Sequence, residues 1–342
     1  MLQRCFALVV ALVCAACVGV GPRSIQAQRA SYTEVLGATD AEELLANIVR
    51  LRYLDTPVFL RVSSVTASPT LELSSGLNAS LDSDGDFGGA GSNGGVIYTD
   101  QPTIVYEPLD GREFANELLV PLDAAPVFLM VANGFDFDVV ARLLFASIEG
   151  LTNERSASAE ARRPFRETTR DLAELMRAGL VRLGTPEGGL DAAKPGLVLR
   201  VDQRAYVHPA GQRAFAALGV AEGVGVVDVR FGLASDERSI AVRTRSLLAV
   251  LSYLSDCIDV DPADESRVWP STQEEEPLLH ISSSDERPPE AAPAVRLRGR
   301  WFYVDAEDLR SRNTFYLLRL LFSLQARTAE SDDGVVLTLP VR

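Results

Sequence analysis

Helix-period and strand-period stretches alternate along this chain without a regular beat, whereas a parallel βαβ fold repeats one strand and one crossover helix. Leu44, Leu45, Ile48, Val49 and Leu51 recur at helical spacing behind Thr39-Asp40-Ala41-Glu42, which has the form of a capping box. Val58 to Val65 then reads as a strand, ahead of a polar stretch over 67–101 that is expected to be an exposed loop or a mobile hairpin. Ile104-Val105-Tyr106 reads as another strand, and helical patterns follow in succession. One carries Phe114, Leu118 and Leu119, and one runs from Asp123 to Asn133 with Gly134 as its stop. Another is capped by Asp136 and aligns Val140, Leu144 and Ile148. The longest covers 164–183 with Leu172, Met176 and Leu180 in line, stopped by Gly184.

The C-terminal half begins with strands at Leu197 to Val201, Val224 to Phe231 and Ile240 to Arg243. A helix with Leu247, Val250, Leu251 and Leu254 on one stripe follows them. Val295 to Val304 reads as a single strand. Asp305 to Asp308 opens a helix carrying Phe315, Leu318 and Phe322, and Val335 to Pro340 closes with a strand. This order predicts an α+β fold, with mixed or antiparallel sheets packed with several amphipathic helices and interrupted by long polar insertions. The expected division is a leader over 1–27, a largely helical α+β half over 28–183 and a second α+β half over 184–342. Within the latter, 261–294 holds nine acids, two arginines and six prolines, a composition that predicts a solvated insertion.

The leader is read from Arg4, the apolar run Cys5 to Val20, the break at Gly21-Pro22-Arg23 and the small residue Ala27. Cys5, Cys14 and Cys17 fall inside it, so cleavage after Ala27 leaves only Cys257 and no internal disulfide. Cys14-Ala15-Ala16-Cys17 also has the small residues that precede an acylated cysteine, and Cys17 is the candidate lipid-attachment site. Two addresses stay open: soluble in the periplasm, or tethered to the outer membrane by lipid. No later stretch is apolar enough to span a bilayer, so contact with a membrane is expected only through that anchor.

Net charge of −14 excludes a nucleic-acid surface, which needs clustered basic side chains. Three segments carry a resemblance: Arg50 to Leu60, Pro102 to Gly111, and Trp301-Phe302-Tyr303-Val304-Asp305. They resemble signatures of a family of bacterial secreted and envelope lipoproteins without known activity. The resemblance implies an address in the cell envelope and supplies no catalytic residue.

Chemistry-bearing motifs are sparse. Gly89, Gly91 and Gly94 match G-x-G-x-x-G, but a strand-like Val-Ile-Tyr follows where a dinucleotide site needs a helix. Asp82, Asp84 and Asp86 alternate as calcium ligands do, although Phe87 and Asn93 stand where the loop needs Gly and Glu. Asp305, Glu307 and Asp308 are explained by helix capping, and Cys257 by burial on an apolar stripe. His208 and His280 have no partner at ligand or triad spacing.

Arginine gives the sharpest pattern. Arg296, Arg298 and Arg300 alternate and would share one face of a regular strand, while Arg200, Arg230 and Arg243 sit in three other strands. Paired strands would gather them into a site for an anion or a carboxylate polymer. Against this, only Lys194 of the 33 basic residues is lysine, and acids are abundant as partners. The leading functional reading is a non-catalytic envelope protein acting through protein–protein contacts, without a cofactor. The alternative is a carboxylate-dependent hydrolase of envelope glycans, which needs two acids about 5–9.5 Å apart in a cleft.

Overall fold

The computed structural model describes residues 20–66, 69–81, 87–100, 103–108, 118–186, 196–232, 239–270, 276–289 and 293–326. The fold is α+β, in two compact units: Val58–Phe114, and a larger one built from Met1–Pro57 and Ala115–Arg342. Residues 1–19, including Cys17, lie outside the described residues, as do Asp82, Asp84 and Asp86 and the expected closing strand at 335–340.

The regular structure of the small unit is all strand among its described residues. β1 (Leu60–Thr66) pairs antiparallel with β4 (Thr103–Pro108), and β2 (Pro69–Leu81) with β3 (Phe87–Asp100). The expected interruption over 67–101 is thus largely a long hairpin, in which Pro69 faces Asp100 and Leu81 faces Phe87. Gly89, Gly91 and Gly94 lie inside β3, and no helix opens there to receive a pyrophosphate.

The large unit starts with α1 (Val20–Arg52). Thr39 does not cap it: its hydroxyl donates to the carbonyls of Val35 and Leu36, satisfying itself inside a helix that runs on. α2 (Ala124–Ala132) and α3 (Phe137–Leu144) begin at Asp123 and Asp136, whose carboxylates accept from the amides of Ala125 and Asp138. α3 stops earlier than its apolar periodicity suggests. Phe145–Ile148 is β5, because tertiary donors take the last carbonyls of α3: Asn153 Nδ2 bonds Arg142 O and Arg245 bonds Arg142 O and Leu143 O.

α4 (Ala159–Arg177) opens on Ser158 and closes on Gly179, which takes φ +71° while Leu180 N bonds Leu175 O. The expected helix to residue 183 therefore ends sooner, and Val181–Gly184 is β7. After β6 (Leu151–Thr152) and β7 come β8 (Gly196–Val201), α5 (Pro209–Leu218), β9 (Val226–Phe231), β10 (Ser239–Thr244) and α6 (Leu247–Leu254). A six-stranded mixed sheet has the order β6-β5-β10-β9-β8-β7, with only β9 and β10 parallel. A division at 183/184 runs through β7 of this sheet, so the two sequence halves share one core.

A three-stranded sheet of β11 (Ser282–Ser284), β13 (Arg300–Tyr303) and β12 (Ala294–Leu297) completes the unit with α7 (Leu309–Ala326). The acidic segment over 261–294 is not wholly a solvated insertion. Leu278, Leu279 and Ile281 are buried, and each such side chain contributes about 1.5–3 kcal/mol by leaving water. Leu45, Ile48, Val250, Leu251, Leu317 and Leu321 belong to the same buried set.

Candidate functional site

The structure separates the six predicted arginines into two groups. Val295 to Val304 is not one strand: Arg298 and Gly299 both take positive φ, at +51° and +85°, and turn the chain into a hairpin. Arg296 then pairs with Trp301 while Leu297 pairs with Arg300, so Arg296 and Arg300 point to opposite faces. Arg298 bonds Asp55 at 2.8 Å and lies 4.6 Å from the Tyr53 ring centroid. Arg300 bonds Asp261 at 2.6 Å and Asp285 at 3.1 Å. Acids neutralise these two, and the trio makes no common anion surface.

The second group shares one sheet face without forming a cluster: Arg230 stands four residues along β9 from Val226, the residue opposite Arg200, and the exposed Asp228 lies between them on that face. Register places Arg200 opposite Val226, Arg230 opposite Ala241, and Val198 opposite Asp228. Side chains alternate along a strand, so Arg200, Arg230 and Arg243 share one face of the six-stranded sheet. A fourth arginine joins them. Arg182 stands directly opposite Arg200 in β7 and β8, placing basic residues in four adjacent strands. The opposite face is the core side, where Val181, Leu197, Leu199, Val227, Val229 and Ile240 are buried and α2 packs on β7 and β8. Arg182, Arg200 and Arg230 are exposed.

Their electrostatic settings differ. Arg243 is ion-paired with Glu154. Arg182 and Arg200 have neither an ion pair nor a side-chain hydrogen bond among the described residues. The acid nearest in sequence, Asp202, is engaged by Arg204 through Nε and Nη2 at 3.0 and 2.9 Å. The Arg204 guanidinium and backbone amide, with the more distant charge of Arg182, hold the Asp202 carboxyl down to about 2. Two like charges directly across a strand pair are destabilising, by roughly the 0.2–1 kcal/mol that opposite charges gain. Arg182 was hidden from the sequence reading by the helix assigned through residue 183. The signal that could have found it is Gly179 as helix stop, followed by Val-Arg-Leu-Gly.

Other candidates resolve into structure. His208 Nδ1 accepts from Ala210 N and caps α5. His280 is on Asp259 at 3.0 Å, and its backbone amide, not its ring, reaches the Ser311 hydroxyl. That hydroxyl is buried and donates to Asp308, the residue capping α7, so no serine nucleophile is assembled. Cys257 is half-buried. Among the described residues no group of three or more His, Cys, Asp or Glu is placed to hold a metal ion.

Two cavities open on the large unit. One of about 940 Å³ lies between α1 and α7, and its carboxylates Glu34 and Glu42 are eight residues apart, about 12 Å along the helix. The other, about 880 Å³, lies at the start of α6 and holds Asp123 and Glu154, which are committed to the Ala125 amide and to Arg243. Neither offers the carboxylate spacing of a glycosidase with both groups free. Comparison with known protein families, curated proteins and solved structures finds no match for the chain.

Proposed function

We propose that this chain is an exported, non-catalytic protein of the bacterial envelope that acts through protein–protein contacts, with the arginine face of the six-stranded sheet as its contact surface. The observation that carries the surface is the Arg182–Arg200 pair: two exposed arginines directly opposite each other, neither in an ion pair or side-chain hydrogen bond among the described residues. A carboxylate of a partner, bound bidentately, would relieve that repulsion. Support for export is the leader pattern over 1–27 and the resemblance of the three segments to envelope lipoproteins. No helix among the described residues is long and apolar enough to cross a membrane.

The test is affinity capture from solubilised envelope, with mass spectrometry of both the retained proteins and the mature N-terminus. Arg200→Glu is expected to reduce capture of the retained protein at least fivefold without lowering the melting temperature. Undiminished capture by that variant overturns the surface. A mature N-terminus at Gln28 or at an acylated Cys17 agrees with export, and an intact Met1 in protein from the native host overturns it.

A further inference from the structure

The cavity of about 880 Å³ at the start of α6 has a polar end and an apolar end. Leu248 and Ser252 line it and are half-buried, on the side of α6 away from the buried Val250, Leu251 and Leu254. They stand one turn apart, about 6 Å along the axis. One turn beyond Ser252 comes Asp256, in the helical turn Ser255–Cys257 that continues the helix. Asp256 holds Arg155, another lining residue, by its Nε and Nη2 at 2.9 and 2.7 Å. Ser252 and Arg155 therefore mark the polar end. At the other end Pro121 bridges Ser246, the cap of α6, which brings Leu119 to the neighbourhood of Leu248. Phe231 and Val242 add to the apolar wall.

Charge at the polar end is out of balance. Asp256 also takes Arg52 at 3.0 Å, so one carboxylate serves two guanidiniums. The side chains of Arg52, Asp256 and Arg155 are only 7, 10 and 23% exposed, so water does little to relieve the excess. Burial lowers the Arg52 guanidinium below its ordinary value; Asp256 pulls it back up, and the like charge of Arg155 pushes it down again. Arg155 Nη1 and the Ser252 hydroxyl carry no hydrogen bond among the described residues. Arg243 and Glu154, also on the wall, neutralise each other. The exposed Asp123 lies near Leu122 at the apolar end, where it would repel a charged head.

We propose that this cavity binds a single-chain alkyl carboxylate, its head on Arg155 Nη1 and the Ser252 hydroxyl and its chain running past Leu248 towards Leu119. The site is separate from the Arg182–Arg200 contact surface and does not depend on it. Its volume falls in the range of about 300–1,000 Å³ usual for small-molecule sites. A carboxylate brings the single negative charge that the two guanidiniums lack, whereas a phosphate monoester brings about 1.5–2 at neutral pH. The chain supplies affinity by leaving water, each buried methylene contributing about fourfold.

Equilibrium dialysis of labelled octanoate against the full chain at low salt tests this. Saturable binding of one octanoate per chain is expected. Butyrate should bind at least tenfold more weakly for want of four methylenes, and octanamide at least tenfold more weakly for want of charge. Arg155→Met is expected to weaken octanoate at least fivefold while keeping the fold, because Arg52 remains on Asp256. Leu119→Asp, at a position 59% exposed, puts a second charge at the apolar end without a folding cost and should weaken octanoate as much. Should Arg155→Met fail to fold, Leu119→Asp decides alone. Absence of saturable octanoate binding overturns the site, as does octanoate binding undiminished in the folded variants. Octanamide binding as tightly as octanoate overturns the charged head, and octyl phosphate binding at least tenfold tighter overturns the carboxylate as the ligand class.

Discussion

Arg245 lies over Tyr253, with its guanidinium carbon 4.0 Å from the ring centroid. Held flat by that ring, the side chain donates to the carbonyls of Arg142, Leu143 and Asn153, and it is 4% exposed. One residue thereby closes the end of α3, where the helix dipole favours a cation, and fixes the turn into β5. Arg245→Met keeps much of the volume and leaves the carbonyls of Leu143 and Asn153 without that donor. A loss of about 3 kcal/mol is expected, since each unsatisfied buried group costs about 1–3 kcal/mol. Tyr253→Leu is expected to lose less, about 1–2 kcal/mol, because the carbonyl contacts remain. Urea midpoints of the two variants decide it; an Arg245→Met protein as stable as the parent would remove the strut.

Gly211 gives a prediction of sign. In an exposed helix, glycine to alanine gains about 1 kcal/mol. Here an added Cβ would fall 1.8 Å from the carbonyl oxygen of Ala205, in the helical turn over Gln203–Val207 that precedes α5. Backbone must shift to admit it, so Gly211→Ala is expected to lower stability by about 2 kcal/mol or more. A rise in melting temperature would mean that α5 does not pack on that turn.

How far the sequence could be read depends on how local each cause is. Asp123 and Asp136 were legible as helix starts because a cap is made within three residues. The end of α3 was not legible, because Arg245 and Asn153 supply it from elsewhere in the chain. Averaged acidity hid Leu278, Leu279 and Ile281, since composition over a window discards individual buried side chains. The hairpin at Arg298-Gly299 lacks the Asn or Asp that usually announces such a turn. Three arginines of the sheet face were recognised from strand alternation, and the fourth was lost with the misplaced end of α4.

Asp308 makes α7 sensitive to acid. Burial acts to raise its carboxyl, but hydrogen bonds from the Ser311 hydroxyl and amide and from the Arg310 amide prevail and hold it below its ordinary 3.8. A lowered folded value means that the charged carboxylate is the stabilising form. Its contribution is complete above the unfolded value and fades as pH falls through the folded one. Asp308→Ala is expected to lose about 1 kcal/mol near neutral pH, as cap deletions do. The difference from the parent should shrink below about pH 4, near the ordinary carboxylate value. Denaturation curves at neutral and acid pH test this, and a gap that widens on acidification would contradict the assignment.

The Arg182–Arg200 pair predicts a conflict between stability and binding. Both side chains sit on the open face, and cross-strand like charges oppose folding. Threonine suits an exposed strand position, so Arg200→Thr removes the repulsion without harming β8. A gain of about 0.5 kcal/mol is expected at low ionic strength. Salt separates this from a propensity effect: at 1 M the screening length falls to about 3 Å, and the advantage should contract as the repulsion is screened. If the proposed contact surface is used, capture from solubilised envelope should fall in the same variant, since the guanidinium that costs stability is the one that reading assigns to a partner's carboxylate. Urea titrations at low and high sodium chloride, run beside the capture assay, read both sides. Lower stability in Arg200→Thr would make Arg200 a structural residue, and a gain independent of salt would remove the charge repulsion from the account.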